Sequence, residues 1–584
     1  MERWNLCDPR PDTGPGTGPA TDRESRPAGD AAHRAGGGLS GPRWRARLSR
    51  RGPAAAVAAV ICAGLLVAAC GGAAAPASSS TASSSASGTS TAASSAANTL
   101  TIATLSTGVS LVPAYTTTGE DNEVMNQIYG SLLQIKPGTT NQVIPDLATS
   151  YTVSPDGKTW TFQLRKGVKW QDGYGSFTCS DVKFTWDFNK NPANKSFWRS
   201  DAQIVTSVSC PNPYEAVFHL SAPFQGFLYQ VVNMQPSTGW ILSKAAWTKL
   251  GKTGYEKTPV GTGPYMLKQL IPNQQLTLVA NPTYWGAPPH VKTVVFKVIP
   301  DAQTAALAVK TGQVDIASLD GVTADEYKNL PNAHLVVKQA FFTDWLFFNE
   351  LVPPWNNVLV RRAASYAIDY KGLVQTVLRG YGTPGYNGII LPGQLGYNAS
   401  VNPPNTYDPA KAKQLLKQSG VKLPITGFFV EYNDTGDVNA GQFIAANLKA
   451  VGIDLQSRPL ERGTQAQMIP KPTTPAVVLG DILAPDPDGD FSLNFISSAN
   501  PPAGYNVARY GGIDTLYKEQ HDTPSKTKRL QYLKEIQAKL HSDVPAIDLY
   551  VHDDIWLVSN RVHNYQPTVL FSGDPLNLVT LSGS

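Results

Sequence analysis

Cysteine is scarce in this sequence, and its histidines are scattered. Five cysteines occur in 584 residues, none in a CxxC spacing, and the eight histidines include no HxxxH pair. The sequence also lacks HExxH and GxSxG, which are signatures of zinc proteases and serine hydrolases. Because these signals are missing, we expect neither an enzyme nor a bound metal or other cofactor.

A cluster of positive charge is also missing from most of the chain. The formal net charge is +5, but residues 1–69 hold ten arginines and six acidic residues. The remaining residues carry 39 basic and 38 acidic side chains and are therefore nearly neutral. Nucleic-acid backbones are bound by clustered Lys and Arg, so the sequence argues against nucleic acid as a partner.

An export signal is indicated near the N-terminus. Several arginines precede an apolar run at residues 53–69, which is mostly alanine and short for a membrane span. The run ends in Val67-Ala68-Ala69-Cys70, and small residues before a cysteine resemble the bacterial lipobox. We therefore predict that residues 1–69 are an N-terminal extension and lipoprotein signal peptide. Lipidated Cys70 would then anchor the protein to the outer face of the cell membrane. A plain signal peptide and a transmembrane anchor are the alternatives.

A low-complexity segment follows the cysteine. Residues 78–97 are all Ser, Ala, Thr or Gly, a composition that cannot build a hydrophobic core. We predict that residues 70–98 are a flexible tether with an average span of roughly 30 Å. Such a tether keeps a folded body near a membrane while allowing it to turn.

Two cysteines remain in the part of the chain beyond the tether. An even pair outside the cytoplasm favours a disulfide between Cys179 and Cys210, and a zinc site is the rival interpretation. Closing a loop of this length with a disulfide stabilises a fold by about 3–4 kcal/mol in the chain-entropy model.

Local patterns predict an α/β body. Alternating apolar residues predict strands at Thr99–Thr104 and Thr159–Leu164. Helices are predicted from Ala302 to Lys310, from Pro409 to Gly420, with Asp408 as its N-cap, and from Thr523 to about Ser542. His552-Asp553-Asp554 falls in a strand-like run at residues 548–558, so it is not interpreted as a catalytic group.

Several conspicuous residues are expected to build the fold. The indole rings of Trp160, Trp170 and Trp186 are predicted core residues. Gly261 and Gly263 are predicted to serve a turn that needs a positive φ. The arginines at positions 361 and 362, where a helix begins, are predicted to be ion-paired.

From residue 123 onward, the order of short motifs resembles the family 5 solute-binding proteins, the oligopeptide, dipeptide and nickel receptors of ABC importers. A single motif of this kind is weak evidence, but many in the same order over about 460 residues are strong evidence. The motifs lie at residues 144–148, 154–162, 164–170, 172–173, 180–182, 259–265, 281–285, 312–315, 360–363, 366–369, 380–382, 408–412 and 451–453.

The resemblance implies a two-lobed, periplasmic-binding-protein-like α/β fold with a hinged ligand cleft and an extra subdomain inserted in the first lobe. Lobe I would comprise residues 99–133, 240–349 and 550–584, with the inserted subdomain at 134–239, and lobe II would comprise residues 350–549. Ligand contacts to both lobes would favour the closed form, which the permease reads.

The resemblance also locates candidate ligand contacts. The segment 480–488 resembles a ligand-contacting loop of lobe II, but Leu483 stands where peptide receptors hold the α-amine with an aspartate. Either Asp481 replaces that aspartate or the ligand lacks a free amine, because a buried ammonium needs a carboxylate partner. The other candidates are Thr107 and Tyr115 in lobe I, Trp345 and Asn349 near the hinge, and Tyr505, Arg509 and Tyr510 on lobe II.

The sequence therefore predicts a monomeric, extracytoplasmic, lipid-anchored receptor that delivers a small ligand, an oligopeptide, to an ABC permease. Alternatives within the same fold are a receptor for a non-peptide solute and a receptor for a signalling peptide.

Overall fold

The structure is a computed structural model that describes residues 98–108, 110–116, 118–233, 239–568 and 574–582. Cys70 and nearly all of the predicted tether lie outside the described residues. All of the described residues belong to one compact unit of the chain. Among them, no helix is both long enough and apolar enough to cross a membrane.

Strands and helices alternate along most of the chain. The strands are β1 Thr99–Thr104, β2 Leu133–Ile135, β3 Val143–Pro145, β4 Ala148–Val153, β5 Thr159–Leu164, β6 Val205–Asn212, β7 Glu215–Leu220, β8 Tyr265–Ile271, β9 Gln275–Ala280, β10 Thr293–Val298, β11 Ile316–Leu319, β12 Ala333–Phe348, β13 Gly382–Pro384, β14 Ile425–Tyr432, β15 Ile453–Leu460, β16 Ala476–Ile482, β17 Ala546–Ser559, β18 Val562–His563 and β19 Thr580–Leu581.

The helices are α1 Gly119–Ile128, α2 Cys179–Lys190, α3 Arg199–Ala202, α4 Phe227–Gln230, α5 Lys244–Lys257, α6 Ala302–Lys310, α7 Gly321–Tyr327, α8 Val358–Ala367, α9 Tyr370–Val377, α10 Pro409–Ser419, α11 Thr435–Val451, α12 Arg462–Met468, α13 Asp488–Asn494, α14 Asp514–Asp522 and α15 Lys526–Asp543. Short 3-10 turns include Pro113–Tyr115 and Ser497–Ala499.

One large mixed sheet organises the described residues. Its strand order is β15-β14-β16-β12-β17-β11-β1-β10-β9-β8, and β13 pairs with β17 beside this path. We call the part built on β8 to β11 and β1 lobe I, and the part built on β14 to β16 lobe II. The central strands β12 and β17 belong to both lobes, so they connect them.

The two connecting strands change register halfway along their length. Residues 333–339 of β12 pair with lobe I residues of β17, and residues 343–347 pair with lobe II residues of β17. Between Gln339 and Thr343 the register shifts, and a second shift follows between Asp344 and Trp345. Irregular pairing of this kind bends and twists a strand pair locally, and we call this position between the lobes the hinge.

A separate four-stranded antiparallel sheet, in the order β4-β5-β7-β6, lies within residues 148–220. Cys179 at the start of α2 and Cys210 on β6 form a disulfide with a Cα–Cα distance of 5.8 Å. The indole rings of Trp160, Trp170 and Trp186 are buried, which confirms the sequence prediction.

Most local predictions are confirmed. Strands β1 and β5 and helix α6 have the predicted bounds, and α10 has Asp408 as its N-cap and Gly420, at φ 70°, as its C-cap. The predicted start of α15 at Thr523 is wrong, since Ser525 is the N-cap and its hydroxyl accepts a hydrogen bond from the backbone of Lys528.

The predicted role of the two glycines at 261 and 263 is also wrong. Neither has a positive φ. A Cβ on Gly261 would instead overlap the carbonyl oxygen of Ile128, and one on Gly263 would lie 2.5 Å from the carbonyl oxygen of Gln127. These glycines are therefore needed because the chain passes directly against the C-terminal end of α1.

Candidate functional site

The parallel strands of both lobes end at the same place, the level of the hinge. Strand β1 is parallel to β10 and β11, and β14 is parallel to β15 and β16. Strands β11 and β16 are antiparallel to β17 and β12 respectively. The carboxyl ends of the two sets therefore face each other across the hinge. Such ends are where α/β sheets bind ligands, so the cleft between the lobes is the candidate site.

The hinge contributes a buried aspartate to this cleft. Asp344 is 5% exposed and follows the register shift of β12. Its carboxylate lies 2.6 Å from Nε2 of His552 on β17, whose ring packs against Phe342 at 4.4 Å. An aspartate and a histidine from the two connecting strands are thus joined at the hinge.

Three further carboxyl groups lie where β14 ends and α11 begins. Asp434 caps α11 by accepting a hydrogen bond from the backbone of Asp437, and it lies 3.8 Å from the guanidinium of Arg462. Burial raises the pKa of Asp437, and the charges of Asp344 and Asp434 raise it further. Glu431 is fully buried, and burial raises its pKa to about 7.

Asp481 lies at the end of β16, on the face of the sheet opposite to Asp344. Burial raises the pKa of Asp481 to about 6, although the side chain of Asn494 donates a hydrogen bond to it at 2.8 Å. Burial raises the pKa of the neighbouring Asp490 as well, and the charge of Asp481 adds to this effect. Gln394 donates a hydrogen bond to Asp490 at 2.9 Å. Asp481 thus lies in the predicted contact loop, and Asp490 lies just after it, on α13.

Leu483 is buried in the same loop, 2% exposed, and its backbone donates a hydrogen bond to the carbonyl of Phe341. The two aspartates that follow are held inside the protein. Asp486 accepts two hydrogen bonds from the guanidinium of Arg529, at 2.6 and 2.7 Å, and Asp488 binds the ring of His521 at 3.0 Å. The Asp-Pro-Asp part of the motif therefore fixes the loop and is not available to a ligand.

Four predicted contact residues are used for packing in lobe II. The indole of Trp345 is 1% exposed and packs against Phe495. The side chain of Asn349 donates hydrogen bonds to Pro472 and Thr474. It lies at the far end of β12, six residues from the hinge, or roughly 20 Å.

The adjacent pair, Arg509 and Tyr510, lies near that far end too, because the backbone of Glu350 donates to Ala508. The guanidinium of Arg509 donates hydrogen bonds to two backbone carbonyls, and the hydroxyl of Tyr510 donates to Asp543 at 2.7 Å. These contacts favour structural roles for both side chains.

The three remaining candidates lie elsewhere. Thr107 follows β1 at the cleft, and its hydroxyl accepts a hydrogen bond from the backbone of Asn273 at 3.1 Å. The ring of Tyr115 packs against Phe188, with Nζ of Lys252 3.9 Å from its centroid. Tyr505 is half-buried and adds to the electrostatic environment of Tyr432.

Sequence reasoning missed the acidic residues of the hinge and of the β14–α11 turn. The available signal was positional, because Asn433 and Asp434 directly follow the apolar strand β14. The position of Asp344 gave no such signal, since it lies in the middle of a long strand. Among the described residues, no three His, Cys, Asp or Glu side chains are grouped so that they could hold a metal ion.

Comparisons with known proteins agree with this architecture. The family model described as bacterial extracellular solute-binding proteins, family 5 middle, matches residues 142–503. The dipeptide-binding protein of Escherichia coli is 28% identical over 453 residues, which cover 72% of this chain and 83% of that protein. The nickel-binding periplasmic protein of the same organism is 28% identical over 449 residues, with the same coverage of both chains.

A solved structure extends the similarity to three dimensions. The ABC transporter-associated periplasmic binding protein DppA from Helicobacter pylori, in complex with the peptide STSA, has a TM-score of 0.65 and is 28% identical to this chain. The match covers 83% of this chain and 98% of that structure.

Proposed function

Since the chain belongs to the bacterial extracellular solute-binding proteins of family 5, we propose that it captures a short peptide for an ABC importer. Its fold is the two-lobed fold of that family, and it is a binding protein rather than an enzyme. The observation that carries the proposal is the cleft, where the parallel strands of both lobes end on either side of two connecting strands.

Closure of the lobes supplies the mechanism. Lobe I is assigned residues 99–133, 240–349 and 550–584, the inserted subdomain 134–239, and lobe II 350–549, except that residues 343–347 and 550–551 lie on the lobe II side of the register shift. A ligand that contacts both lobes stabilises the closed form by the difference in its affinity for the two forms. The permease then recognises the closed form.

Contacts between the inserted subdomain and lobe II support this mechanism. The side chain of Gln225 donates a hydrogen bond to the carbonyl of Pro524 at 2.9 Å, and the ring of Phe224 lies 5.0 Å from that of His521. The hydroxyl of Thr140 donates to the carbonyl of Gly393 at 3.0 Å. These contacts hold the inserted subdomain against lobe II, as expected when the lobes are closed on each other.

Two of the predicted contact residues are assigned as ligand contacts. They are Thr107 from lobe I and Asp481 from lobe II, because Thr107 follows β1 and Asp481 lies near the end of β16, both at the cleft. The packed side chains of Trp345 and Leu483 act indirectly, by fixing the strand and loop that carry Asp481. Cys70 is assigned the lipid anchor that holds the receptor at the outer face of the membrane.

Native mass spectrometry of the protein extracted from its own membranes tests the proposal. We expect a retained ligand with the mass of a short peptide and a diacylglycerol mass that disappears in Cys70→Ala. Calorimetry with tri- to pentapeptides should then give one site with a Kd of about 1 μM or below, equivalent to about −8 kcal/mol. A folded protein that retains no peptide and gives no heat with any of them would refute peptide capture.

A further inference from the structure

The predicted contact loop of lobe II, residues 480–488, is held in part by another loop of the same lobe. The carbonyl oxygen of Pro485 accepts a hydrogen bond from the backbone of Leu395 at 2.7 Å. The carbonyl oxygen of Ala484 accepts another from the side chain of Gln394. Because these bonds join segments far apart in sequence, the position of the contact loop depends on where its supporting loop lies.

The inserted subdomain contacts that supporting loop. The hydroxyl of Thr140 donates a hydrogen bond to the carbonyl of Gly393 at 3.0 Å, and Gly393 directly precedes Gln394. Gly393 has a φ of 95°, and a Cβ there would lie 2.9 Å from Oγ1 of Thr140 and 3.2 Å from the ring of Phe341. The subdomain therefore reaches the contact loop through one intervening segment, residues 393–395.

A second contact of the inserted subdomain leads to the end of the contact loop. The ring of Phe224 lies 5.0 Å from that of His521. Nδ1 of His521 lies 3.0 Å from the carboxylate of Asp488, to which Gln520 also donates a hydrogen bond. On its lobe II side, His521 stacks on the ring of Tyr517 at 5.6 Å. His521 is thus packed between the inserted subdomain and the contact loop.

The third contact belongs to the same turn as the second. Gln225 donates its hydrogen bond to the carbonyl of Pro524, which lies three residues after His521. A Cβ on Gly157, also in the inserted subdomain, would lie 3.1 Å from the side chain of Pro524. These contacts of the subdomain with lobe II therefore fall on, or next to, residues that hold the contact loop.

We propose that the inserted subdomain positions the contact loop, and with it Asp481, when the lobes close. This inference rests on the proposed capture of a ligand in the cleft and adds a coupling between closure and the binding surface of lobe II. Thr140 and Phe224 are positioning residues that act through Gly393 and His521. Opening removes both supports, so the contact loop becomes ordered together with closure.

Hydrogen exchange of the mature chain tests the inference without a ligand. The lobes are tied by a short bis-maleimide between Lys158→Cys and Thr527→Cys, two exposed positions beside the contact of Gly157 with Pro524. Tying keeps the lobes together, so exchange of the contact loop then reports only on its supports.

In the tied chain, the double variant Thr140→Val/Phe224→Ala should exchange the amides of residues 483–490 at least about fivefold faster than the wild type. A hydrogen bond and an aromatic pair each shift an equilibrium by roughly two- to tenfold, and both are lost. Exchange of strand β14, elsewhere in lobe II, should not change, which separates loss of positioning from loss of stability.

Thr206→Val is the matched control, because the hydroxyl of Thr206 donates to the carbonyl of His219 at 2.8 Å entirely within the inserted subdomain. Its contact loop should exchange at the wild-type rate. If the double variant does not fold, Thr140→Val alone decides, since valine keeps the shape of threonine and should still speed exchange at least about twofold. A tied, folded variant whose contact loop exchanges at the wild-type rate would overturn the inference.

Calorimetry with the peptide recovered from the native protein separates the two proposals. We expect the double variant to bind this peptide at least about fivefold more weakly than the wild type, and Thr206→Val to bind it equally well. If exchange of the contact loop depends on Thr140 and Phe224 but no peptide is recovered or bound, positioning is supported and peptide capture fails. If the peptide binds wild type and double variant equally and their contact loops exchange alike, capture stands and the inference fails.

Discussion

At the scale of single residues, lobe II is unusual for its buried carboxyl groups. Asp548 on β17 is fully buried and accepts hydrogen bonds from the hydroxyl of Thr343 and, at 2.7 Å, from the backbone of Tyr386. These hydrogen bonds offset only part of the effect of burial, and burial raises the pKa of Asp548 to about 7. The native state therefore binds this proton more tightly than the unfolded chain does.

That difference predicts how stability depends on pH. Between about pH 4 and 7 the native state holds more protons at Asp548 than the unfolded state, so stability falls as the pH rises, by up to about 1.4 kcal/mol per pH unit from this group. Urea unfolding of the wild type and of Asp548→Asn from pH 5 to 8 should show a shallower decline in the variant. A variant with the wild-type slope would contradict this account, and Asp454→Asn, which removes a half-exposed acid elsewhere on lobe II, is the control.

Residue types alone predicted some roles correctly. The guanidinium of Arg361 is 4% exposed and lies 3.2 Å from Glu350, as expected for an ion-paired arginine at a helix start. It also donates hydrogen bonds to the carbonyl oxygens of Trp355 and Val544. The sequence could not show that Trp345 packs against Phe495 or that Asn349 bonds to residues 472 and 474, because these contacts join segments that are distant in sequence.

At the scale of elements, local signals predicted bounds where the cause is local. Helix α10 begins at an Asp-Pro pair and ends at a glycine, and strand β5 alternates between buried and less buried side chains. The long strands β12 and β17 were not predicted as a pair, because their paired residues are about 200 positions or more apart in sequence. The register shift that marks the hinge arises only in that pairing and has no local signature.

The passage of residues 261–263 beside α1 gives a prediction at this scale. Gly261→Ala should destabilise the protein by about 1–3 kcal/mol, because its methyl group must displace the carbonyl of Ile128 at the end of the helix. Gly463→Ala is the matched control, since nothing lies within 4 Å of its Cβ and it is in helix α12.

Urea unfolding measures both variants. The control should be as stable as the wild type or slightly more stable, because alanine is favoured over glycine in helices and nothing obstructs its methyl group. A Gly261→Ala protein as stable as the wild type would show that the close approach to α1 does not exist.

At the scale of the whole molecule, the family motifs predicted the two-lobed fold, and the comparisons confirm it. The motifs gave less information about the ligand, because the aspartates at positions 486 and 488 are bonded to other side chains of the protein. Asp486 is held by Arg529, for example, and so stabilises the loop without reaching the cleft. The pairing of Asp344 with His552 lies outside those motifs and could be found only when distant strands were placed side by side.

The central claim is that ligand binding closes the two lobes about β12 and β17. A pair of spin labels tests it directly, at the exposed positions Lys158→Cys in the inserted subdomain and Thr527→Cys in lobe II. Gly157 lies against Pro524 in this structure, so the labels are close together when the lobes are in contact. Cys179 and Cys210 are bonded to each other and remain unlabelled.

Pulsed electron–electron double resonance on the doubly labelled mature chain measures the distance between the labels. Without ligand the distance distribution should be longer and broader, and with the peptide found by mass spectrometry it should be short and narrow. Identical distributions with and without a peptide that calorimetry shows to be bound would contradict closure.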